Sequence, residues 1–421
     1  MPLNLIKSWS GVLCLVLLTA LPAVGQDLEG MQLFAPAEVG PYGDGPQPKE
    51  GYFFVFDGLS WSIGRPDVVV VGNTTEDSRI VYNVGDGTTG WTQTNTHDTG
   101  EFTSARTEGN RIEFGRVSNR HGWVFSAYRL NSQTQNIAVS AVGVVLADDD
   151  TWGVPSGGRL QGPVVMVPDP NEDPNDPDDD EMLGPDVNLP VVFDDLFMKN
   201  RVEHWNVELM ALYRMKPFHR SGNVEWFAGL RYMEFDDTFK IEGQRKGIAD
   251  VTPTQAERAS NILANSVWDT SAQNHIVGPQ FGVRVFKKRG RWMLSTEGRF
   301  FAGFNYQNIH QQGTLGTELD PDTSVRSLGE PSLMLTTDFE HVDYRRKWSP
   351  VVEVRAEARY QLTKSVSLRA GWTGVWIDGL ARASSMIDYT LRKDSVMGIL
   401  PINNKQDVLA HGLTIGVDVN R

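Results

Sequence analysis

Glu353, Arg355, Glu357 and Arg359 occupy every second position of one stretch, with Val352, Val354, Ala356, Ala358 and Tyr360 between them. A strand sends these two sets to opposite faces, whereas a helix would spread both around its circumference. The stretch predicts a strand with one apolar face and one face of alternating charge. After a short turn at Thr363-Lys364-Ser365, the alternation resumes. Val366, Leu368, Ala370, Trp372 and Trp376 lie on one side, and Ser367, Arg369, Gly371 and Thr373 on the other.

The same pattern recurs along the chain. His204–Arg214 opposes Val207, Leu209, Ala211 and Tyr213 to Asn206, Glu208 and Arg214. Asn223–Phe235 opposes Val224, Trp226, Ala228, Leu230 and Tyr232 to Glu225, Gly229 and Arg231. Gln280–Phe286, Trp292–Phe304 and Leu409–Arg421 follow the same scheme, while Asn110–Val117 and Gly122–Leu130 flank a tight turn and read as a hairpin. Gly51–Ser62 is dense in aromatic residues and predicts a first strand.

The connections alternate in length. Short basic ones fall near 118–122, 216–222, 287–291 and 362–365; long polar ones fall at 236–275, 306–348 and 378–408. Aromatic residues gather at both strand ends: Trp205, Tyr232, Tyr306, Trp348 and Trp376 toward the long loops, and Tyr213, Trp226, Trp292 and Tyr360 toward the short turns. Tyr and Trp favour both membrane–water interfaces because each has an apolar body and a polar tip. Ten-residue strands, one-sided loop lengths and two aromatic belts predict an all-β transmembrane antiparallel up-and-down barrel of about 10–12 strands. Short turns would then be periplasmic and long loops outside. Ten and twelve both satisfy closure, and the apolar run Ile137–Leu146, paired near 160–167 or 188–194, favours twelve. A secreted soluble β-sandwich also alternates, but strand length, loop asymmetry and the aromatics argue against it.

In such a barrel, outer-membrane lipid meets Val352, Val354, Ala356 and Ala358. The expected lumen lining is Glu208, Arg214, Glu225, Arg231, Arg284, Glu297, Arg299, Glu353, Arg355, Glu357, Arg359 and Arg369. One Arg turned to lipid costs about 2–4 kcal/mol at mid-depth, so the register is set firmly. The two signs nearly balance and predict cross-strand pairing, which makes the barrel plugged or narrow.

Composition and the chain's first residues add to this picture. Lys7, the apolar run Gly11–Leu21 and small residues before Gln26 predict a signal peptide over 1–25, ahead of a Gly/Pro/acid-rich tail at 26–50. The apolar run is shorter than the ~20 residues of a spanning helix. Cys14, the single cysteine, lies within it, so the exported chain would carry no thiol. A net charge of −14 argues against nucleic acid as a partner. Residues 168–186 (PDPNEDPNDPDDDEMLGPD) are too acidic and Pro-rich to bury a core and predict a solvated loop. Their carboxylates would suit cations such as calcium, yet the fixed spacing of an EF-hand is absent. Pro253-Thr254-Gln-Ala-Glu257 resembles a capping box, with Ala256, Ala259, Ile262, Leu263 and Val267 at helical spacing. A short loop helix over 254–267, folded over the barrel mouth or packed sideways, is the expectation.

The phrases NVEWFAGLRYMEF at 223–235, HIVGPQFGVRV at 275–285 and SLRAGWTGVWIDGLARA at 367–383, with Arg65-Pro66 after the first strand, resemble a known family. It is the planctomycete β-barrel outer-membrane protein family, the porin-like "seven" group, and the likeness covers roughly 50–421. The resemblance implies an outer-membrane barrel without established chemistry and carries over no catalytic residue. The non-aromatic end, Val419-Asn420-Arg421, departs from the usual barrel pattern.

No HExxH, GxSxG or P-loop motif is present, and the histidines are scattered. Arg neighbours would keep the alternating acids ionised. Neither an enzyme, a cofactor nor a metal site is expected. Three roles remain: a narrow porin-like channel for small solutes or ions, a structural or surface-display barrel with cation-binding loops, and a secreted soluble protein. Oligomeric state is not legible.

Overall fold

The computed structural model describes residues 51–71, 79–83, 89–93, 98–145, 190–215, 222–244, 266–315, 337–388 and 398–420. Its strands are β1 (Gly51–Ile63), β2 (Arg79–Asn83), β3 (Thr89–Gln93), β4 (Ala105–Ser118), β5 (His121–Val145), β6 (Pro190–Arg214) and β7 (Gly222–Gln244). They continue as β8 (Ser266–Arg289), β9 (Trp292–Leu315), β10 (Thr337–Gln361), β11 (Val366–Leu380), β12 (Ile387–Asp388), β13 (Gly398–Ile399) and β14 (Gln406–Asn420). A closed antiparallel barrel runs in the order β1-β14-β11-β10-β9-β8-β7-β6-β5-β4. β1 and β14 close it, from Phe53 opposite Asn420 to Ile63 opposite Ala410. β2 with β3 and β12 with β13 form two small separate hairpins.

Among the described residues the barrel has ten strands, the lower of the two counts that parity allows. The expectation of twelve fails because Ile137–Val145 is no new strand but the far half of β5, paired with 190–198 of β6. Strand length differs too. β5 to β10 have 23–25 residues, while β1, β4, β11 and β14 have 13–15. Much of the expected long loops at 236–275 and 306–348 is therefore strand. Val267 belongs to β8, not to a loop helix; 254–265 lies outside the described residues, as do 1–50 and 168–186.

One inversion explains the length. In the lower half of β7, nearest its short turn, Trp226, Ala228 and Leu230 point outward and Glu225 and Arg231 inward. Above Tyr232 the chemistry reverses. Met233, Phe235, Phe239 and Ile241 are buried inside, whereas Glu234, Asp236, Thr238, Lys240 and Glu242 face out. The lower wall suits lipid and the upper wall suits water. A lipid-facing stretch of about 9–11 residues is what a tilted strand needs to cross the hydrocarbon.

Among the described residues, β5 to β10 form the wall in the upper half, and other segments fill the gap. Arg65 donates to Gly100 O at 2.8 Å, Thr99 Oγ1 accepts from Val69 N at 2.8 Å, and Gln135 exchanges two hydrogen bonds with the Thr103 backbone. Phe102 is fully buried, edge-on to Phe239 at 6.0 Å.

Candidate functional site

The barrel interior is the molecule's main concentration of charge, and it is layered. Toward the short turns β1 and β4 to β7 turn an apolar cluster inward, with Phe53, Val55, Val117, Val124, Met210, Leu212 and Phe227. Ion pairs lie beside and above it. Arg111 Nε binds Asp57 Oδ2 at 2.9 Å, Arg231 Nη1 binds Glu353 Oε2 at 2.6 Å, and Arg355 Nη1 binds Glu113 Oε1 at 2.8 Å. Arg299 bridges Glu208 and Glu297, Arg369 pairs with Glu357, and Arg355 also holds Glu353 on its own strand. Arg214 pairs with Glu225 at 2.8 Å, Arg284 with Glu297 at 2.5 Å, and Arg359 with Asp418 at 3.1 Å. Several pairs span the lumen, since β4 meets β10 and β7 meets β10, strands that are not neighbours in the wall.

Burying so many charges is costly unless each keeps partners of opposite sign and good geometry. The strand pattern provides this, because period two places Glu and Arg inward at successive levels of one stave. Small inward residues make room. At Gly416 a Cβ would stand 2.1 Å from Asp57 Oδ1, so glycine lets that carboxylate lie against the wall.

Above the charges comes a second apolar layer with Trp61, Phe235, Ile276, Phe301, Val351, Val375, Ile377 and Leu380, each at most 1% exposed. Tyr128 borders both layers: its hydroxyl donates to His204 Nε2 at 2.8 Å and accepts from Arg231 Nη2 at 3.4 Å. His204 Nδ1 faces the Glu234 carbonyl at 2.9 Å and must therefore be the protonated nitrogen. Among the described residues the charged network is thus covered above by tightly packed apolar side chains, while toward the short turns the pairs Arg214–Glu225 and Arg359–Asp418 reach the end of the barrel.

Over this cap the chain turns inward. Gly379 has φ +73°, a left-handed geometry that suits glycine, and a Cβ there would approach Trp348 O to 2.6 Å. Residues 381–388 then lie buried in the mouth. Arg382 Nε binds Asp237 Oδ2 at 2.7 Å, and Ala383 N donates to the same oxygen at 3.0 Å. Asn274 accepts from Ala381 N at 2.8 Å and donates to Ala381 O at 2.9 Å. Gln307 Nε2 donates to Gly379 O at 3.0 Å and Asn404 O at 3.2 Å. Asn274→Ala would orphan both backbone groups of Ala381, at about 1–3 kcal/mol. Amide exchange at Ala381 is expected to accelerate roughly tenfold or more, while exchange in β14 stays unchanged.

All twelve residues expected to line the lumen are buried in this network or at its edge; Arg284, at 12% side-chain exposure, is the most open. The structure adds Asp57, Arg111, Glu113 and Asp418 to the ion pairs, and Gln280, which donates to Glu208 at 2.9 Å. The Arg111/Glu113 alternation around Ile112 was a readable signal. The aromatics lie outside. Tyr213, Trp226, Trp292, Trp348 and Trp376 are exposed, and Trp205, Tyr232 and Tyr360 are half-buried beside partners. Trp292 packs on Tyr360 at 4.9 Å near the short turns, and Trp205 on Tyr232 at 5.3 Å at the level where the outer face turns polar. Among the described residues no group of three or more His, Cys, Asp or Glu is placed to hold a metal ion. No helix among them is long and apolar enough to cross a membrane, which says nothing about strands.

A closed antiparallel barrel with an apolar outer band, aromatic rims and a charged interior is an outer-membrane β-barrel. Residues 199–420, more than half of the chain, match the family described as "Putative beta barrel porin-7 (BBP7)", and the chain belongs to that family. No curated protein matches it. Similar solved structures include the Escherichia coli outer-membrane protease OmpT, at 8% identity, 89% of this chain, 97% of that chain and TM-score 0.38. The Ralstonia pickettii toluene transporter TbuX is 9% identical over 92% of each chain, with TM-score 0.24. A Pseudomonas aeruginosa FadL homologue is 6% identical over 88% of this chain and 90% of that chain, with TM-score 0.22. Likeness at these scores adds nothing to the fold described above.

Proposed function

We propose that this outer-membrane barrel is a closed structural anchor that displays its long loops, rather than an open pore. The observation that carries this reading is the stacked interior, where Glu353, Arg111 and Asp57 are fully buried beneath the Trp61–Phe301 layer. A water-filled lumen would leave such side chains wet. The proposed role is not enzymatic. The 1–25 segment would export the chain to the outer membrane of a planctomycete cell, and the acidic stretch 168–186 would offer hard oxygen ligands to cations outside. Aromatic side chains at the rims would hold the barrel at its depth in the lipid.

Family membership favours a second reading, a narrow channel for small solutes or ions that conducts when the 381–388 segment and the layer beneath it rearrange. Planar-bilayer recording separates the two. The anchor reading expects no steady single-channel events from the intact protein. Regular ion-selective steps, altered when 250–265 is deleted ahead of β8, would replace it with the channel.

A further inference from the structure

The apolar band on the outside of the barrel is not equally tall all the way round. The β4–β5 and β8–β9 hairpins both close through tight turns, with Ser118 opposite His121 and Arg289 opposite Trp292. Strands of a closed barrel share about one tilt, so residues equally far from these two turns lie at comparable depth. Phe281 of β8 and Phe300 of β9 stand as far above their turn as Asn110 of β4 and Arg129 of β5 stand above theirs. Two residues higher, Ala302 of β9 corresponds to Glu108 and Asn131; higher again, Val277 and Phe304 correspond to Arg106. Phe281, Phe300, Val277 and Phe304 are exposed on one wall, and Asn110, Arg129, Glu108, Asn131 and Arg106 are exposed on the other. β4 and β9 lie half-way round the ring from each other. At one depth, one wall is apolar and the wall opposite is polar.

Tilting the barrel does not hide this stripe. On β4 only Phe114 and Ile112 face outward between Arg116 and Asn110. That is shorter than the 9–11 residues a tilted strand needs to cross the hydrocarbon. Lifting Asn110 into water would draw Arg116 into lipid from the other side. The stripe's own contacts leave its polar heads on the surface: Arg106 Nε donates to Ser60 Oγ on β1, and Arg129 lies 3.6 Å from Glu203 with 57% of its side chain exposed. An arginine facing hydrocarbon at mid-depth is disfavoured roughly 30-fold or more. A polar protein surface can satisfy such groups where lipid cannot.

We propose that the outer faces of β1, β4 and β5 form the interface of a dimer, in which two copies of this chain stand side by side in the membrane. The inference rests on the membrane barrel and holds equally for a closed anchor or a channel. What points to a second copy is that the stripe complements itself. It carries both signs, Arg106 and Arg129 with Glu108, and amides at Asn110 and Asn131 that donate and accept. A two-fold axis along the membrane normal keeps every residue at its own depth and sets one patch against itself. An axis between β4 and β5 therefore brings Arg129 of each copy to the level of Asn110 and Glu108 of the other, twice over. The dimer would take the polar stripe out of lipid and leave the tall apolar walls of β8 and β9 facing it.

The test uses the full-length protein folded into phosphatidylcholine vesicles at a low protein-to-lipid ratio, with Cys14→Ser so that one introduced thiol reports. A bismaleimide is expected to link Asn110→Cys into a dimer and nothing larger, while Phe300→Cys, at the same depth on the opposite wall, stays monomeric. Charge reversal gives a second readout, the sedimentation mass in mild detergent. Arg129→Glu and Glu108→Arg should each weaken the dimer about tenfold or more, because like charges then meet across the axis. Both reversals together should restore it, which a merely local effect on folding would not do. Protease resistance confirms that each variant is folded. A monomeric wild type in vesicles would overturn the proposal, since the stripe would then be wetted by a thinned bilayer. Equal cross-linking at Phe300→Cys and Asn110→Cys would overturn it too, as would a dimer indifferent to the single reversals or a double variant that stays monomeric. If a reversal does not fold, the two cysteine variants decide alone. Failure of the wild type to insert into vesicles would instead overturn the membrane reading itself.

Discussion

Glu353→Ala is expected to destabilise the folded barrel by about 3–5 kcal/mol, the usual cost of removing one partner from a buried ion pair. Glu353 is fully buried and accepts from Arg231 Nη1 at 2.6 Å and from Arg355 Nε. Without it, Arg231 loses the carboxylate that it binds at 2.6 Å, and its bonds to Gln280 at 3.1 Å and Tyr128 at 3.4 Å are to neutral groups. Arg355 retains Glu113 but loses its nearest counter-charge. A guanidinium cannot shed its proton to escape this position. Glu340→Ala is the control, since Glu340 is 70% exposed and pairs with His310 on the outer surface of the upper wall. It should change stability by at most about 0.5 kcal/mol. Urea unfolding of both variants in vesicles gives the comparison. If Glu353→Ala is as mild as the control, water reaches the interior charges, and the closed-anchor reading fails with the prediction.

The wall was legible in the sequence wherever its two faces differ in chemistry. Around Glu353–Arg359 the charges face in, the valines and alanines face lipid, and the structure pairs Glu353 with Arg231 and Arg355 with Glu113 across the lumen. The same contrast at 206–214 and 224–232 identifies β6 and β7. Asp57 escaped notice because β1 is apolar on both faces, with Phe53 and Val55 inside and Phe54 and Phe56 outside, so one acid in that run has no phase. Strand ends escaped for a related reason. Past Tyr232 the inside turns apolar and the outside polar, so a pattern tuned to lipid outside and charge inside stops there and reads as loop. The inward-turned segment is least legible of all. Arg382 and Asp237 are separated by 145 positions, and neither has a neighbour whose spacing announces the pair. Local periodicity reports which face a residue takes; it does not report which distant strand it meets.

The lipid-facing band makes the second large prediction. Leu209→Arg should destabilise the reconstituted barrel by about 2–4 kcal/mol, because an arginine at mid-depth must leave water or drag water and headgroups toward it. Leu209 is 56% exposed on the outer face of β6, midway between Trp205 and Tyr213, opposite Leu230 of β7. Burial in protein is therefore not what the substitution disturbs; the solvent is. Phe197→Arg, on the same face of the same strand, separates these effects. Phe197 is also outward and 38% exposed, but it lies beyond Arg201 and Glu203, where the outer face is already polar. Replacing it should change stability by at most about 0.5 kcal/mol, as at an ordinary wetted surface. Both variants are read by urea unfolding in the same vesicles. Unequal midpoints in this order would place the lipid boundary between Phe197 and Leu209, near the Trp205–Tyr232 pair. Equal effects would put both positions in one solvent, and the outward chemical inversion of the wall would then have no membrane to explain it.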